Sequence, residues 1–545
     1  MQKYVLLLWA VVLPGLLKNI HAQTTGAVPV YNVKNYGAVG DGKTDDAQAI
    51  QKAIDAAAVQ NGGMVLLDNG VFLTSGIRLK SNIELHVTAS ASIIASLEVS
   101  KYCVNEKLQY KTPIRSLIFA ADCSNVSITG RGKIDGRGDL IKETAFNDRP
   151  DLIVFHGCKG VVIQDIYLTN SSKFMTFLLQ CVGVRVDGIT VVNIKNSNND
   201  GFDIDGSRDV IISNSNIHTL DDCIAFKAST RTDRCADIVI NNCILSSRCA
   251  AIRVGPDAMA DIENIAVSNC VIRNTGLNGI KIQESMGAVA RNMTFSNIIM
   301  DNVKGPISIR LSGWNEGQYI DTWTSFNDSS WTKGKLHNIL FENIRATVPN
   351  MIAMPADYEG GTPWLLNITK VNTGISITGT SQTRPRDIIF SNIDITFEGG
   401  GTQAMAAKRN LPDLERNYPE MFIFGDLPAY GLYMHHVSGI TLNNVRFNLQ
   451  TPDLRPAIVC DDADDIELNG FKAAGNVNAE SLIRLENSRN VFISGSRPLN
   501  TITTFLRVEG SKSRDILLTG NKLNLAARKT ELAAGAQQPG ITVHP

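Results

Sequence analysis

A short phrase returns along the chain: Asp, Asn or Gly, then alternating aliphatics, then Asn or another small polar residue and a further aliphatic. It reads Asp209-Val210-Ile211-Ile212-Ser213-Asn214-Ser215-Asn216-Ile217 and then Asp237-Ile238-Val239-Ile240-Asn241-Asn242-Cys243. Asn264-Ile265-Ala266-Val267-Ser268-Asn269-Cys270 and Asn292-Met293-Thr294-Phe295-Ser296-Asn297-Ile298 follow. Starts at 209, 237, 264 and 292 give periods of 28, 27 and 28. Other copies begin at Asn125, Gly160 and Gly183, and later at Asn338, Asp387, Gly439, Asp465, Asn490 and Asp515. A period of roughly 20 to 30 residues carrying short β-branched strands, with no helix between them, specifies a β-solenoid. One coil cannot bury its apolar side alone, so neighbours stack and share a core. Helical repeats need amphipathic stretches of about ten residues or more per unit, and none is present.

The Asn before the aliphatic (Asn216, Asn242, Asn269, Asn297, Asn343, Asn392, Asn444) suits a turn in the left-handed region, where Asn is the favoured non-Gly residue. Stacked amides could hydrogen-bond from coil to coil, each contributing on the order of 1 kcal/mol. Upstream, Asp41-Gly42-Lys43-Thr44-Asp45-Asp46 leads into Ile50, Ala53, Ile54 and Ala57 at helical spacing. This predicts a short helix, with Thr44 or Asp45 as N-cap, covering the N-terminal end of the solenoid.

Residues 1–22 read as a secretory signal peptide: a positive start at Lys3, an apolar run from Tyr4 to Leu17, and small residues ending at Ala22. The run is shorter than the roughly 20 residues that span a bilayer, so export without a membrane span is expected, to the periplasm or outside the cell. Residues 23–525 are expected to form one elongated catalytic domain, and 526–545, rich in Ala and Gln, a frayed tail. Between 297 and 444 the spacing of the repeat Asn grows to 46, 49 and 52. Either a degraded coil intervenes or long loops leave the barrel, at about 311–335, 350–385 and 396–435. These stretches hold Trp314, Trp323, Trp331, Tyr358, Trp364, Tyr418 and Tyr430, and loop aromatics on a rigid stack commonly form binding walls.

Lys plus Arg is 52 and Asp plus Glu is 53, which argues against a polybasic nucleic-acid binder. Ten cysteines in an exported chain invite a disulfide reading, yet Cys243 and Cys270 take equivalent places 27 residues apart, as small buried hydrophobes would. No pair has zinc-ligand spacing with His nearby, so a metal site has little support. A monomer is expected.

The chemistry concentrates in Asn198-Asn199-Asp200-Gly201-Phe202-Asp203 and Leu220-Asp221-Asp222-Cys223-Ile224-Ala225-Phe226-Lys227. Asp200 and Asp221 lie about one coil apart, so Asp200, Asp221 and Asp222 should cluster on one side. Crowded carboxylates raise at least one pKa and supply an acid beside ionised bases, the arrangement that glycoside hydrolysis requires. Strand alternation points Ile224, Phe226, Ile252, Val254, Ile280, Ile282, Ile307 and Ile309 inward. Outward then stand Ala225, Arg253, Lys281, and Ser308 with Arg310. Spacings of 28 and 29 predict a ladder of Arg253, Lys281 and Arg310, which would receive an anionic substrate.

At these residues the chain resembles glycoside hydrolase family 28, the polygalacturonases and their pectin-cleaving relatives. The resemblance runs through Tyr36-Gly37-Ala38-Val39-Gly40-Asp41-Gly42-Lys43-Thr44-Asp45-Asp46, Asn125-Val126-Ser127-Ile128-Thr129-Gly130 and Ile134-Asp135-Gly136. Its specific parts are Asn198-Asn199-Asp200, similar to the family's Asn-Thr-Asp, and Asp221-Asp222-Cys223, similar to its Asp-Asp pair. It implies an all-β, right-handed parallel β-helix and an inverting hydrolase of an acidic, plant-cell-wall-type polysaccharide or oligosaccharide, working without metal or cofactor. Asp221 would be the general acid, Asp200 and Asp222 would activate water, and Asn198, Arg253, Lys281 and Arg310 would bind substrate. The family's Gly-His-Gly falls at Cys249-Ala250-Ala251 and its Arg-Ile-Lys at Gly279-Ile280-Lys281, so its His and Arg are absent. Those losses favour a rhamnogalacturonan-type or otherwise decorated pectic substrate, or an exo mode. A β-helix lyase or epimerase and a noncatalytic carbohydrate-binding β-helix stay open as alternatives.

Overall fold

The structure, a computed structural model, describes residues 28–106, 114–141, 149–313, 333–351, 374–415, 417–537 and 540–544. The proposed signal peptide lies outside them, as do Trp314, Trp323, Trp331, Tyr358 and Trp364.

Each repeat phrase forms a strand, or part of a longer one, that pairs in parallel with the strands of the coils before and after. Val210, Ile211 and Ile212 stack on Val184, Arg185 and Val186 and beneath Ile238, Val239 and Ile240. The named strands join one continuous parallel system, a parallel β-helix; Cys103–Val104 against Arg115–Ser116 is the antiparallel exception among the described residues. Alternate aliphatics enter the core, where Phe295, Phe341 and Phe390 stack at 5.2 and 4.9 Å between centroids. Each such buried side chain contributes about 1.5–3 kcal/mol.

The turns follow from Asn. Asn242, Asn269, Asn297, Asn343, Asn392 and Asn444 have φ between 51° and 55°. Their amides form a ladder, with Asn297 Nδ2 donating to Asn269 Oδ1 at 3.2 Å and Asn343 Nδ2 to Asn297 Oδ1 at 3.0 Å. One member differs from expectation: Asn214, not Asn216, is left-handed and accepts from Asn242, while Asn216 opens the next strand. Direct bonding of Asn343 to Asn297, Asn392 to Asn343 and Asn444 to Asn392 shows that no extra coil intervenes where the spacing widens.

The first expected loop lies largely outside the described residues. The second is shorter than expected, because Ile375–Thr378 pairs with Ser308, Ile309 and Arg310 and with the strand Leu432–Leu449. Four residues are too few to display the phrase. The third runs from the end of one strand at Phe397 to Leu432.

Helix α1 (Ala47–Val59) covers the N-terminal end and buries Ile50, Ala53, Ile54 and Ala57. Its N-cap position is Asp46, whose carboxylate accepts from Val39 and Gly40, while Asp45 accepts from the Ala47 amide at 3.1 Å. The expected C-terminal tail is instead a final coil. Ala526–Ala533 pairs with Ile502–Glu509, and Ile541–Val543 with Arg514–Thr519. Its polar sequence concealed it, because a last coil has only one neighbour and its free side meets water. All ten cysteines are buried and none is in a disulfide.

Candidate active site

Asp200 and the Asp221–Asp222 pair occupy turns of adjacent coils, just ahead of Phe202–Asp205 and Ile224–Ala228. Parallel pairing places Phe202 against Ile224 and Ile224 against Ile252, so the residues leading into these strands gather at one edge. The backbone is held from several sides. Gly201 N–H donates to the Asp222 carbonyl at 2.9 Å, and Asn193 Nδ2 to the Asp200 carbonyl at 2.9 Å. Thr219 and Ser247 hydroxyls donate to the Asp221 carbonyl at 2.6 and 2.5 Å. Asn199 is structural: its Oδ1 accepts from Lys195 and Asn196, and its Nδ2 donates to Ser171 and Lys173 carbonyls.

The carboxyls differ sharply in proton affinity. Burial and the adjacent Asp222 charge push Asp221 up to about 6. Burial also acts on Asp222, but Lys281 and Arg253 outweigh it and hold that carboxyl at about 2. Arg253 Nη1 lies 2.8 Å from Asp222 Oδ2, Lys281 Nζ lies 3.7 Å from Oδ1, and the Ala250 amide donates to Oδ1 at 3.2 Å. Asp200 is raised well above the usual range by burial, Asp203 and Asp221. Its Oδ1 is buried with no hydrogen-bond partner among the described residues. Asp221, half-exposed, is thus the accessible carboxyl poised to give up a proton, and Asp222 the anion.

The expected cationic ladder is only partly formed. Ala225, Arg253, Lys281 and Ser308 share one outward row. Arg310 stands in the next row, opposite Gln283, because the coil there is 27 residues and a spacing of 29 overshoots it by two. Arg310 donates to Thr378 Oγ1 at 3.2 Å and to the Asp413 and Leu414 carbonyls at 2.6 and 3.0 Å. It therefore anchors the 398–431 loop and does not line a substrate surface. Asn198, in a left-handed turn with φ 54°, accepts at Oδ1 from Arg149 Nη2 at 2.8 Å.

Several site residues escaped the sequence reading. Glu420 lies 2.8 Å from Lys281 Nζ and 3.8 Å from Arg253 Nη2, and Tyr418 Oη bonds Arg253. Nothing local marks Glu420, which is 139 residues from Lys281 in a segment without the repeat. Tyr418 was among the loop aromatics and does wall the site; Tyr430 packs in the core against Phe397. Lys227, 2.5 Å from Asp203, was recoverable from alternation, two residues beyond Ala225 on the same face. Among the described residues, two groups hold donor atoms within 4.8 Å of one another, as a metal would require: Asp221, Asp222 and Cys249, and Asp413, His435 and His436. In the first, Asp222 is already neutralised by Arg253 and Lys281.

Fold and site together define a β-helix protein with a split-pKa carboxylate cluster on its flank. The family model for glycosyl hydrolases family 28 matches residues 66–412, and the chain belongs to that family. A polygalacturonase from Cryptomeria japonica is 26% identical over 354 residues, 61% of this chain and 64% of its own length. One from Persea americana is 24% identical over 410 residues, covering 72% and 79%. The match to the Cryptomeria protein thus leaves about a third of that relative uncovered. The family 28 exopolygalacturonase structure of Yersinia enterocolitica superposes with a TM-score of 0.61 at 19% identity, covering 81% of this chain and 78% of its own. The Thermotoga maritima exopolygalacturonase gives 0.54 at 22%, covering 68% and 87%. At such identities these structures establish the fold. Among the described residues, no helix is long and apolar enough to cross a membrane.

Proposed function

We propose that the chain is an exported hydrolase of glycosidic bonds in pectic polysaccharides or oligosaccharides, of galacturonan or rhamnogalacturonan type. The observation that carries the chemistry is the contrast between Asp221, raised to about 6, and its neighbour Asp222, held at about 2. Asp221 donates its proton to the glycosidic oxygen as the bond to the anomeric carbon breaks. Water adds to that carbon and loses a proton to the ionised Asp222; after product leaves, proton exchange with solvent reprotonates Asp221 and frees Asp222. Asp200 borders the same space, and family membership favours it as a partner in activating water. The pectic substrate follows from the polygalacturonases among the relatives.

The stereochemical course needs its own measurement. Family membership favours inversion, for which carboxyl groups usually stand about 6.5–9.5 Å apart, while retention uses about 5–5.5 Å. Asp221 and Asp222 bring donor oxygens within 4.8 Å of each other, closer than either arrangement, so their spacing does not choose between the two. Against a nucleophilic Asp222 stand its pKa of about 2 and its bonds to Arg253 and the Ala250 amide. Proton NMR of the freshly formed anomer separates the two. Asp221→Asn should lower release of reducing ends from polygalacturonate and rhamnogalacturonan by about 10²–10⁴-fold while thermal unfolding stays unchanged; undiminished turnover would sink the assignment. Mass analysis of secreted protein, with a mature N-terminus at Gln23, tests export.

A further inference from the structure

Lys281 and Arg253 are the cations the sequence offers to an acidic substrate, yet a carboxylate from within the chain already occupies them. The 398–431 loop crosses the outward face of the sheet and docks residue by residue. Gln283 Nε2 donates to the Pro419 carbonyl at 2.8 Å, Lys281 Nζ meets Glu420 Oε1 at 2.8 Å, and Asn278 Nδ2 meets Met421 Sδ at 2.8 Å. Tyr418 closes the other side, its hydroxyl on Arg253 and its ring 5.8 Å from the guanidinium. The Lys281 side chain is 0% exposed and Glu420 2% exposed. Two cations, Arg253 and Lys281, face two anions, Asp222 and Glu420, so the local charge is balanced before any substrate arrives. A further carboxylate brought here would be buried without a counter-charge, which is strongly disfavoured. Glu420 Oε2, in contrast, is buried with no hydrogen-bond partner among the described residues.

We propose that Glu420 is a built-in counter-anion that takes the place Lys281 and Arg253 would offer a substrate carboxylate, so that the sugar bound beside Asp222 is uncharged. This rests on the pectic hydrolase reading and narrows its substrate: the position takes a neutral sugar or an esterified uronate, not a free uronate.

A matched pair of probes isolates the charge: trigalacturonate and its fully methyl-esterified form. The full chain carrying Asp221→Asn, which cannot turn them over, should bind the ester at least tenfold more tightly than the acid in titration calorimetry. Adding Glu420→Gln keeps an acceptor for Lys281 but removes the charge, and should move the acid-to-ester affinity ratio at least tenfold toward the acid. Equal or tighter binding of the acid with Glu420 in place overturns the proposal, and that measurement needs no substitution at 420. An unmoved ratio in a folded Glu420→Gln chain overturns it as well. If the native chain hydrolyses a pectic polymer while the ratio stays put, the role of Glu420 alone fails. If neither trimer binds and no pectic polymer is cleaved, the pectic reading fails with it.

Discussion

The 398–431 loop lies over two charged regions of the same outward sheet face, and they resolve their charge differently. At the C-terminal end Arg409, Arg484 and Arg507 meet Glu480, Glu486, Glu509 and Glu531. Arg409 Nε lies 2.7 Å from Glu509, Arg484 Nη1 2.5 Å from Glu480, and Arg507 Nη1 2.6 Å from Glu531. Burial raises Glu509, but Arg409 and Arg507 bring it to about 2. At the candidate active site Asp200, Asp203, Asp221 and Asp222 crowd one another, and burial with the Asp222 charge leaves Asp221 at about 6. Guanidinium forks can satisfy several carboxylates at once and fix a strap in place. Carboxylates packed on carboxylates cannot all ionise, and a proton stays available for chemistry. The distinction is not absolute, since burial also lifts Glu486 to about 7 despite Arg484.

If this contrast is right, each end should fail in its own way. Asp221→Asn should lower turnover by about 10²–10⁴-fold, the contribution typical of a general acid, with no loss in denaturant midpoint. Arg484→Met should do the reverse. It removes one of the two guanidinium partners of Glu480 and Glu486, which Arg409 still meets, costs about 1–3 kcal/mol in chemical denaturation, and leaves turnover per folded molecule nearly intact. Activity should follow the Asp221 proton: above about pH 6, kcat should fall by about tenfold per unit as the acid loses it, and a flat profile to pH 8 would contradict that role. Away from both ends, Asn343→Ala breaks the amide ladder at two bonds and should cost about 1–2 kcal/mol, read by thermal unfolding.

The smallest effect concerns the middle of the loop, where Asp413 Oδ1 lies 2.9 Å from His436 Nε2 and 3.3 Å from His435 Nε2. Burial lowers the His436 pKa, but Asp462 and Asp413 outweigh it and raise it above 6.5. Its contribution is therefore complete below about pH 6.5 and is lost as pH rises through the higher folded value. Hydrogen exchange of residues 411–415 should quicken across that window, and His436→Asn should remove the pH dependence.

The proposed catalytic residues were readable because they sit inside the repeat. Asp200, Asp221 and Asp222 occupy turn positions whose coil-to-coil register follows from the period, and Arg253 and Lys281 follow from alternation. Arg310 failed on the same logic, because a drift of two residues keeps the face but changes the row. Ile375–Thr378 and the final coil were missed because each is too short or too polar to display the phrase.

Local chemistry therefore decided the coil: β-branched alternation made the strands, Asn tolerated the left-handed turns, and the period aligned the carboxylates. Folding alone decided which charges remain unsatisfied. Glu420 reaches Lys281 across 139 residues of chain through a loop that follows no repeat, and a buried pair depends on where two side chains end in space, not on any spacing between them.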